Sequence, residues 1–130
     1  MCIFCKIINK EIPSKTIYED DAIIAILDIS QTTKGHTLVI PKNHYDNILE
    51  MPKAELNQMI EIAQDLSKQL MNKLNANGIN ILSNINEVAG QSVMHAHIHL
   101  IPRYSNEDTI KIDFKENKYD LDEILNQITN

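Results

Sequence analysis

Three histidines, His95, His97 and His99, alternate with single apolar residues inside the run Met94–Ile101. On a β-strand, alternate side chains share a face, so the spacing predicts three imidazoles on one face, about 7 Å between next neighbours. Met94, Ala96, Ile98 and Leu100 then face the other way, toward a core. Three adjacent rings compete for hydrogen-bond partners if buried, which makes packing alone a costly reason to place them there. An exposed polar face and a metal-chelating face are both open, since imidazole is the commonest metal ligand. No Asp or Glu lies between Glu87 and Glu107 to complete a metallohydrolase centre. A neutral imidazole can also attack phosphorus, and the covalent phosphoramidate divides one difficult displacement into two easier ones. The loop ahead of the run carries Asn84, Gln91 and Ser92, with Gly90 allowing close backbone approach to a ligand. At the other end of the chain, Cys2 and Cys5 form a C-x-x-C pair. In a reducing compartment that spacing suggests metal binding or redox chemistry rather than a structural disulfide.

The elements that must position these groups follow from apolar periodicity. Residues 3–10 predict a short helix ending before Pro13, and Tyr18 a strand. Ala22–Asp28, almost continuously apolar, reads as a strand buried on both faces. A turn at Gly35 leads into a strand over His36–Ile40, halted by Pro41. From Pro52 to Leu74 the apolar residues recur at three- and four-residue steps, predicting one long amphipathic helix with Pro52 in its first turn and Gly78 ending it or its loop. Strands are predicted at Ile79–Ser83 and Met94–Ile101, the second stopped by Pro102, with a loop over Asn84–Gln91 between them. Ile110, Ile112 and Phe114 alternate in a polar tail, and Leu121, Ile124, Leu125 and Ile128 share one face of a final helix, with Asp120 and Glu123 spaced as a capping pair. That helix is too short to be stable alone and must dock on something. Strands around one long helix predict an α+β domain, an antiparallel sheet with the helix on one face.

With 130 residues and no linker-like stretch, a single domain is expected. Apolar residues make up 43% of the chain and Trp is absent, so the core must be mostly aliphatic. The longest apolar run, Ala22–Leu27, is far short of the ~20 residues of a membrane span, so no membrane role is expected. No signal peptide is visible, and a cytoplasmic location is the default. A formal charge of −6 argues against a broad nucleic-acid surface but leaves room for a small anion held by backbone N–H groups and imidazoles.

The run from Gly90 to Ile101 resembles the signature of the histidine triad (HIT) family, His-φ-His-φ-His-φ-φ with φ apolar. Cys2–Ile8, Asp28-Ile-Ser30 and His36-x-Leu-Val-Ile-Pro-Lys-x-His44 occur in the order seen in its Hint-like branch. The similarity covers residues 2 to about 104, a single HIT-like domain, with 105–130 as a C-terminal extension. It implies that His97 takes the nucleotidyl group, that His99 contacts phosphate and that His36 supports the nucleophile. Asn84, Gln91 and Ser92 are implied around the α-phosphate and leaving group, with Ser92 assisting departure of an amine. Asp28 is implied at the ribose hydroxyls, and Phe4, Ile26 and Leu38 in the purine slot. Met94 departs from the aromatic residue or proline often found there. Some relatives bind zinc, and the resemblance implies a structural Zn2+ on Cys2, Cys5, His44 and His95. It also implies a homodimer. The function expected is a hydrolase or transferase for purine nucleoside 5′-phosphoramidates. The alternatives are dinucleoside polyphosphate hydrolysis, with the same chemistry, and a nucleotide-binding adaptor.

Overall fold

In the computed structural model, which describes residues 2–130, five strands form one antiparallel sheet in the order β1-β2-β3-β5-β4. They are β1 Thr16–Glu19, β2 Ile23–Leu27, β3 Thr37–Pro41, β4 Gly78–Leu82 and β5 Ile98–Arg103. The helices are α1 Ile3–Ile8, α2 Lys53–Leu74 and α3 Leu121–Thr129. The α+β expectation holds, and so does the double burial of β2. Ile23 and Ala25 pack with Val39 under α2, while Ile24 and Ile26 pack with Leu38, Ile40, Phe4 and Ile7 on the face covered by α1. Two apolar faces per strand are what the unbroken run Ala22–Leu27 encodes.

The α2 stripe of Met59, Ile62, Ala63, Leu66 and Leu70 is buried on the first face, each large side chain worth about 1.5–3 kcal/mol. Pro52 sits at the N-cap rather than inside the helix. Asn75 ends α2 at φ 55, so of the two places expected for Gly78 it takes the end of the following loop, as the first residue of β4. Asn tolerates the left-handed cap nearly as well as Gly, and so could take the position three residues earlier.

Two further expectations change. The ladder of β5 starts at Ile98, not Met94, because Ala96 N–H donates to Tyr45 O at 2.7 Å and Ser83 Oγ donates to His97 O at 2.6 Å. Those bonds divert residues 95–97 to the 41–46 loop and the end of β4. Only His99 lies within the strand, and Met94 is 42% exposed instead of buried against the helix. Pro102 does not stop β5, which runs on to Arg103 paired with β4; the β3 ladder has already ended at Leu100, so no partner remains on that side. The alternation itself survives. Ala96, Ile98 and Leu100 point into the α2 core, and His99, opposite Leu38, faces the α1 side.

Candidate functional site

On the α1 side of the sheet the five histidines form two groups that meet at Phe4. In the first group, Cys2 Sγ, Cys5 Sγ, His44 Nδ1 and His95 Nδ1 all lie between 3.1 and 3.7 Å of one another. Tetrahedral zinc, with Zn–S about 2.3 Å and Zn–N about 2.0 Å, requires donor separations of about 3.3–3.8 Å. The protons agree with that geometry. His95 Nε2 lies 2.8 Å from Pro41 O, and His44 Nε2 lies 3.2 Å from Asp46 Oδ1. Both partners only accept, so each Nε2 carries the proton and each Nδ1 presents its lone pair to the cluster. Local sequence places the thiols: Cys2 caps α1, accepting Cys5 N–H at 3.2 Å, and the three-residue step puts both on one side of its first turn.

In the second group, His97 is 6% exposed and His99 half-buried, with ring centroids 4.9 Å apart. His97 Nδ1 lies 2.6 Å from His95 O, which can only accept, so Nδ1 carries the proton and the Nε2 lone pair is free. His36 is set the other way round. Its Nδ1 accepts Thr32 N–H at 3.3 Å, so Nε2–H donates to His99 Nδ1 at 3.0 Å, and the remaining proton of His99 sits on Nε2. The group therefore presents one basic nitrogen, on His97, and one N–H donor, on His99. Burial holds all three imidazoles below their ordinary range. For His99 the neighbouring His97 and His36 add to burial and bring it to about 4, while Asp28 partly opposes the shift at His36. All three are neutral at pH 7, as nucleophilic attack requires.

Asp28, His36 and His99 also bring an oxygen and two nitrogens within 4.8 Å. Their protons argue against a cation there. Placing a metal on His36 Nε2 would move its proton to Nδ1, against the Thr32 N–H. The same reasoning that favours the Cys2–Cys5–His44–His95 cluster disfavours this one.

Phe4 packs edge-on to both groups, with centroids 5.9 Å from His95 and 5.0 Å from His97. Beside it, Ile26 and Leu38 line an apolar cleft of about 150 Å3, joined by Ile3 and Ile7, with Asp28 also in its wall. All four cleft residues named from the sequence thus meet in one place. Gln91 is brought close but used differently. It is buried, its Nε2 donates to Asp46 O at 2.5 Å and Val93 O at 3.0 Å, and its Oε1 accepts Asn86 N–H at 2.8 Å. Both amide hydrogens are committed to bracing the loop. Asn84 Nδ2 donates to Gly90 O at 3.3 Å, across a turn where Gly90 has φ +103, and Ser92 is exposed on the same loop.

Sequence reasoning missed Gln31. Its Nε2 donates to Asp28 O and His36 O at 2.5 and 2.8 Å, and its Oε1 accepts Gly35 N–H and His36 N–H at 2.7 and 3.1 Å. One amide therefore ties together both ends of the loop that carries Asp28 and His36. A lone Gln in a polar loop gives no periodic or motif signal, so only the folded loop reveals it.

A family model described as the HIT domain matches residues 9–106. An uncharacterised HIT-like protein of Methanocaldococcus jannaschii is 49% identical over 98% of each chain. The adenylylsulfatase HINT3 of Arabidopsis thaliana is 39% identical over 78% of this chain and 52% of its own length. Among solved structures, a HIT family protein from Bacillus anthracis superposes with TM-score 0.92 at 40% identity, covering 98% of this chain and 92% of that one. A histidine triad nucleotide-binding protein from Candida albicans gives 0.87 at 32% over 98% and 92%. A Zn-bound histidine triad family protein from Mycobacterium smegmatis gives 0.78 at 36% over 89% and 84%.

Proposed function

The chain belongs to the histidine triad family, and from that premise we propose that it is a nucleotide hydrolase or transferase cleaving purine nucleoside 5′-phosphoramidates or related AMP derivatives. The observation that carries this reading is the free Nε2 of His97, opposite an Nδ1–H pinned 2.6 Å from His95 O. In this reading the Nε2 lone pair forms a bond to the α-phosphorus as the phosphorus–leaving-group bond breaks. The amine departs with a proton donated through Ser92 or water. The imidazolium positive charge is held by the His95 carbonyl. Water then attacks the same phosphorus, releases AMP and returns His97 to its neutral form. His99 Nε2–H donates to a phosphate oxygen, and His36 orients His99. The cleft of Phe4, Ile26 and Leu38 takes the purine, Asp28 holds the ribose hydroxyls, and Asn84 lies beside the phosphate. Gln91 supports that loop from behind.

The test is His97→Ala with a fluorogenic adenosine phosphoramidate. Turnover near wild type would remove the nucleophile from this scheme. Comparing that substrate with a diadenosine polyphosphate separates the second reading, hydrolysis of dinucleoside polyphosphates, which uses the same residues. A relative named an adenylylsulfatase favours an enzyme over the adaptor alternative. If the inactive His97 variant captured the same partners and rescued the same phenotype, the adaptor would be favoured instead.

Zinc on Cys2, Cys5, His44 and His95 is part of the same proposal, supported by the donor tetrahedron and by a Zn-bound relative. It would have a structural part, tying α1 to the 41–46 loop and so holding Phe4 against His97. A homodimer is supported by the outer edge of the sheet. Ile81 on edge strand β4 and Ile60 on α2 are 51% and 49% exposed and border one apolar groove. No helix is long and apolar enough to cross a membrane among the described residues. We place the protein in the cytoplasm, where Cys2 and Cys5 would stay reduced.

A further inference from the structure

A second apolar groove lies away from the histidines, between the C-terminal half of α2 and the ends of β1 and β2. Ile17, Leu27, Leu66, Leu70 and Leu74 wall it, over a volume of about 340 Å3. Gly35 helps to keep it open: a Cβ there would fall 2.4 Å from Leu74 Cδ1. Its charged lining residues are both basic, Lys34 and Lys73, beside the neutral amides of Gln31 and Gln69. Helix α3 has the opposite character. Leu121, Leu125 and Ile128 project from it 75, 59 and 76% exposed, and Asp120, Asp122 and Glu123 crowd its N-terminus. Residues 111–120, which lead to it, are exposed and carry no regular structure. A helix of this length does not hold together in water without a surface to bury its apolar face.

We propose that α3 of a second copy of this chain docks in this groove. Three features fit. The apolar stripe Leu121–Ile128 is about 10 Å long and the groove wall from Leu66 to Leu74 about 12 Å, at 1.5 Å per residue. The acidic turn of α3 meets Lys34 and Lys73. With that turn beside Lys73, the N-terminus of α3 lies against the C-terminus of α2, an antiparallel arrangement in which opposite ends of the helix dipoles meet. No histidine lines the groove, although Gln31 and Gly35, from the loop that carries His36, do; the docking does not rest on the catalytic reading.

The test uses the full chain, 15N-labelled and unlabelled, mixed under conditions that let subunits exchange, then joined with a zero-length carbodiimide. The expected result is mixed-isotope peptides linking Asp120, Asp122 or Glu123 to Lys34 or Lys73. Leu125→Asp, at an exposed position that leaves the fold intact, is expected to lower their yield about tenfold, the loss of one buried leucine. Lys73→Glu is expected to weaken the Glu123 link, and adding Glu123→Lys to restore association of the two helices, read by mixed-isotope cross-linking of the swapped pair. Links found only within single-isotope species would mean that α3 docks on its own chain, and the proposal would fail. The absence of any link between α3 and these lysines would overturn it equally.

Discussion

At the residue scale, the site works through where its protons sit. His97, His36 and His99 are all neutral, but their hydrogen bonds give them different tautomers, so the first offers a lone pair and the last an N–H. Replacing His97 with Ala is expected to lower turnover on the order of a thousandfold or more, since no other group offers a nucleophilic nitrogen at that position. Gln31→Ala is expected to lower kcat about tenfold with little change in KM, because the loss is of positioning rather than contact. Gln31→Glu should not restore it, since a carboxylate has no N–H for the Asp28 and His36 carbonyls. Steady-state kinetics on both variants check this, and an unchanged kcat in Gln31→Ala would remove Gln31 from the site's support. Burial lowers His36, His95, His97 and His99 alike, and His99 carries one share of the resulting pH dependence. Its folded value of about 4 lies below the ordinary 6.5, so the unfolded chain binds more protons between those limits. Stability from this group is therefore full above about pH 6.5 and is lost as pH falls toward 4. Denaturant midpoints at pH 5 and 7.5 measure the slope, and His99→Gln should flatten it; an equal slope in that variant would disprove the assignment.

At the element scale, the N-terminal turn of α1 and the start of β5 do most of the positioning. Cys2 both caps α1 and faces His95, so, with zinc on the cluster as proposed, its removal should loosen α1 and, through it, Phe4. A strong chelator is expected to lower Tm and to reduce activity partially, with zinc restoring both, as read by calorimetry beside metal analysis. Stoichiometric absence of zinc from purified protein with freely reactive thiols would end this prediction. Gly35 is the other tight point. With φ +93 and Leu74 so close, Gly35→Ala should cost about 1–3 kcal/mol and disturb the His36 loop, measurable by denaturant unfolding.

At the scale of the whole molecule, the contacts that reach the loop of Asp28 and His36 run past the end of the sheet. Thr109 Oγ1 donates to Thr32 O at 2.6 Å, Tyr104 hydroxyl to Lys34 O at 2.6 Å, and Arg103 pairs with Asp108 at 2.9 Å. These bonds brace the loop between Asp28 and His36 from outside. A chain ending after Ile110 is therefore expected to keep its activity and Tm within a few degrees, whereas one ending after Tyr104 should lose both in part. Equal behaviour of the two truncations would show that the 105–110 segment supports nothing. The chain ending after Ile110 also lacks α3, so its unchanged turnover would separate the docking of that helix from the chemistry.

The sequence by itself determined the class of fold and marked the candidate residues that the fold gathers on the α1 side, because both rest on local periodicity and on residue type. An unbroken apolar run specified a strand with two buried faces, a 3.6-residue stripe specified α2, and the alternating histidines specified one shared face. Their division into two sites came from resemblance, not spacing. What only the tertiary structure decided depends on contacts between residues far apart in the chain. The Tyr45 carbonyl takes Ala96 N–H, so β5 starts at Ile98 and His95 and His97 stand outside the ladder. His95 O fixes the proton on His97, and Thr32 N–H fixes the one on His36. Gln31 and Gln91 became braces only once the loops around them had closed. Periodicity carries no information about such pairings, since each depends on which backbone groups the fold leaves without a partner.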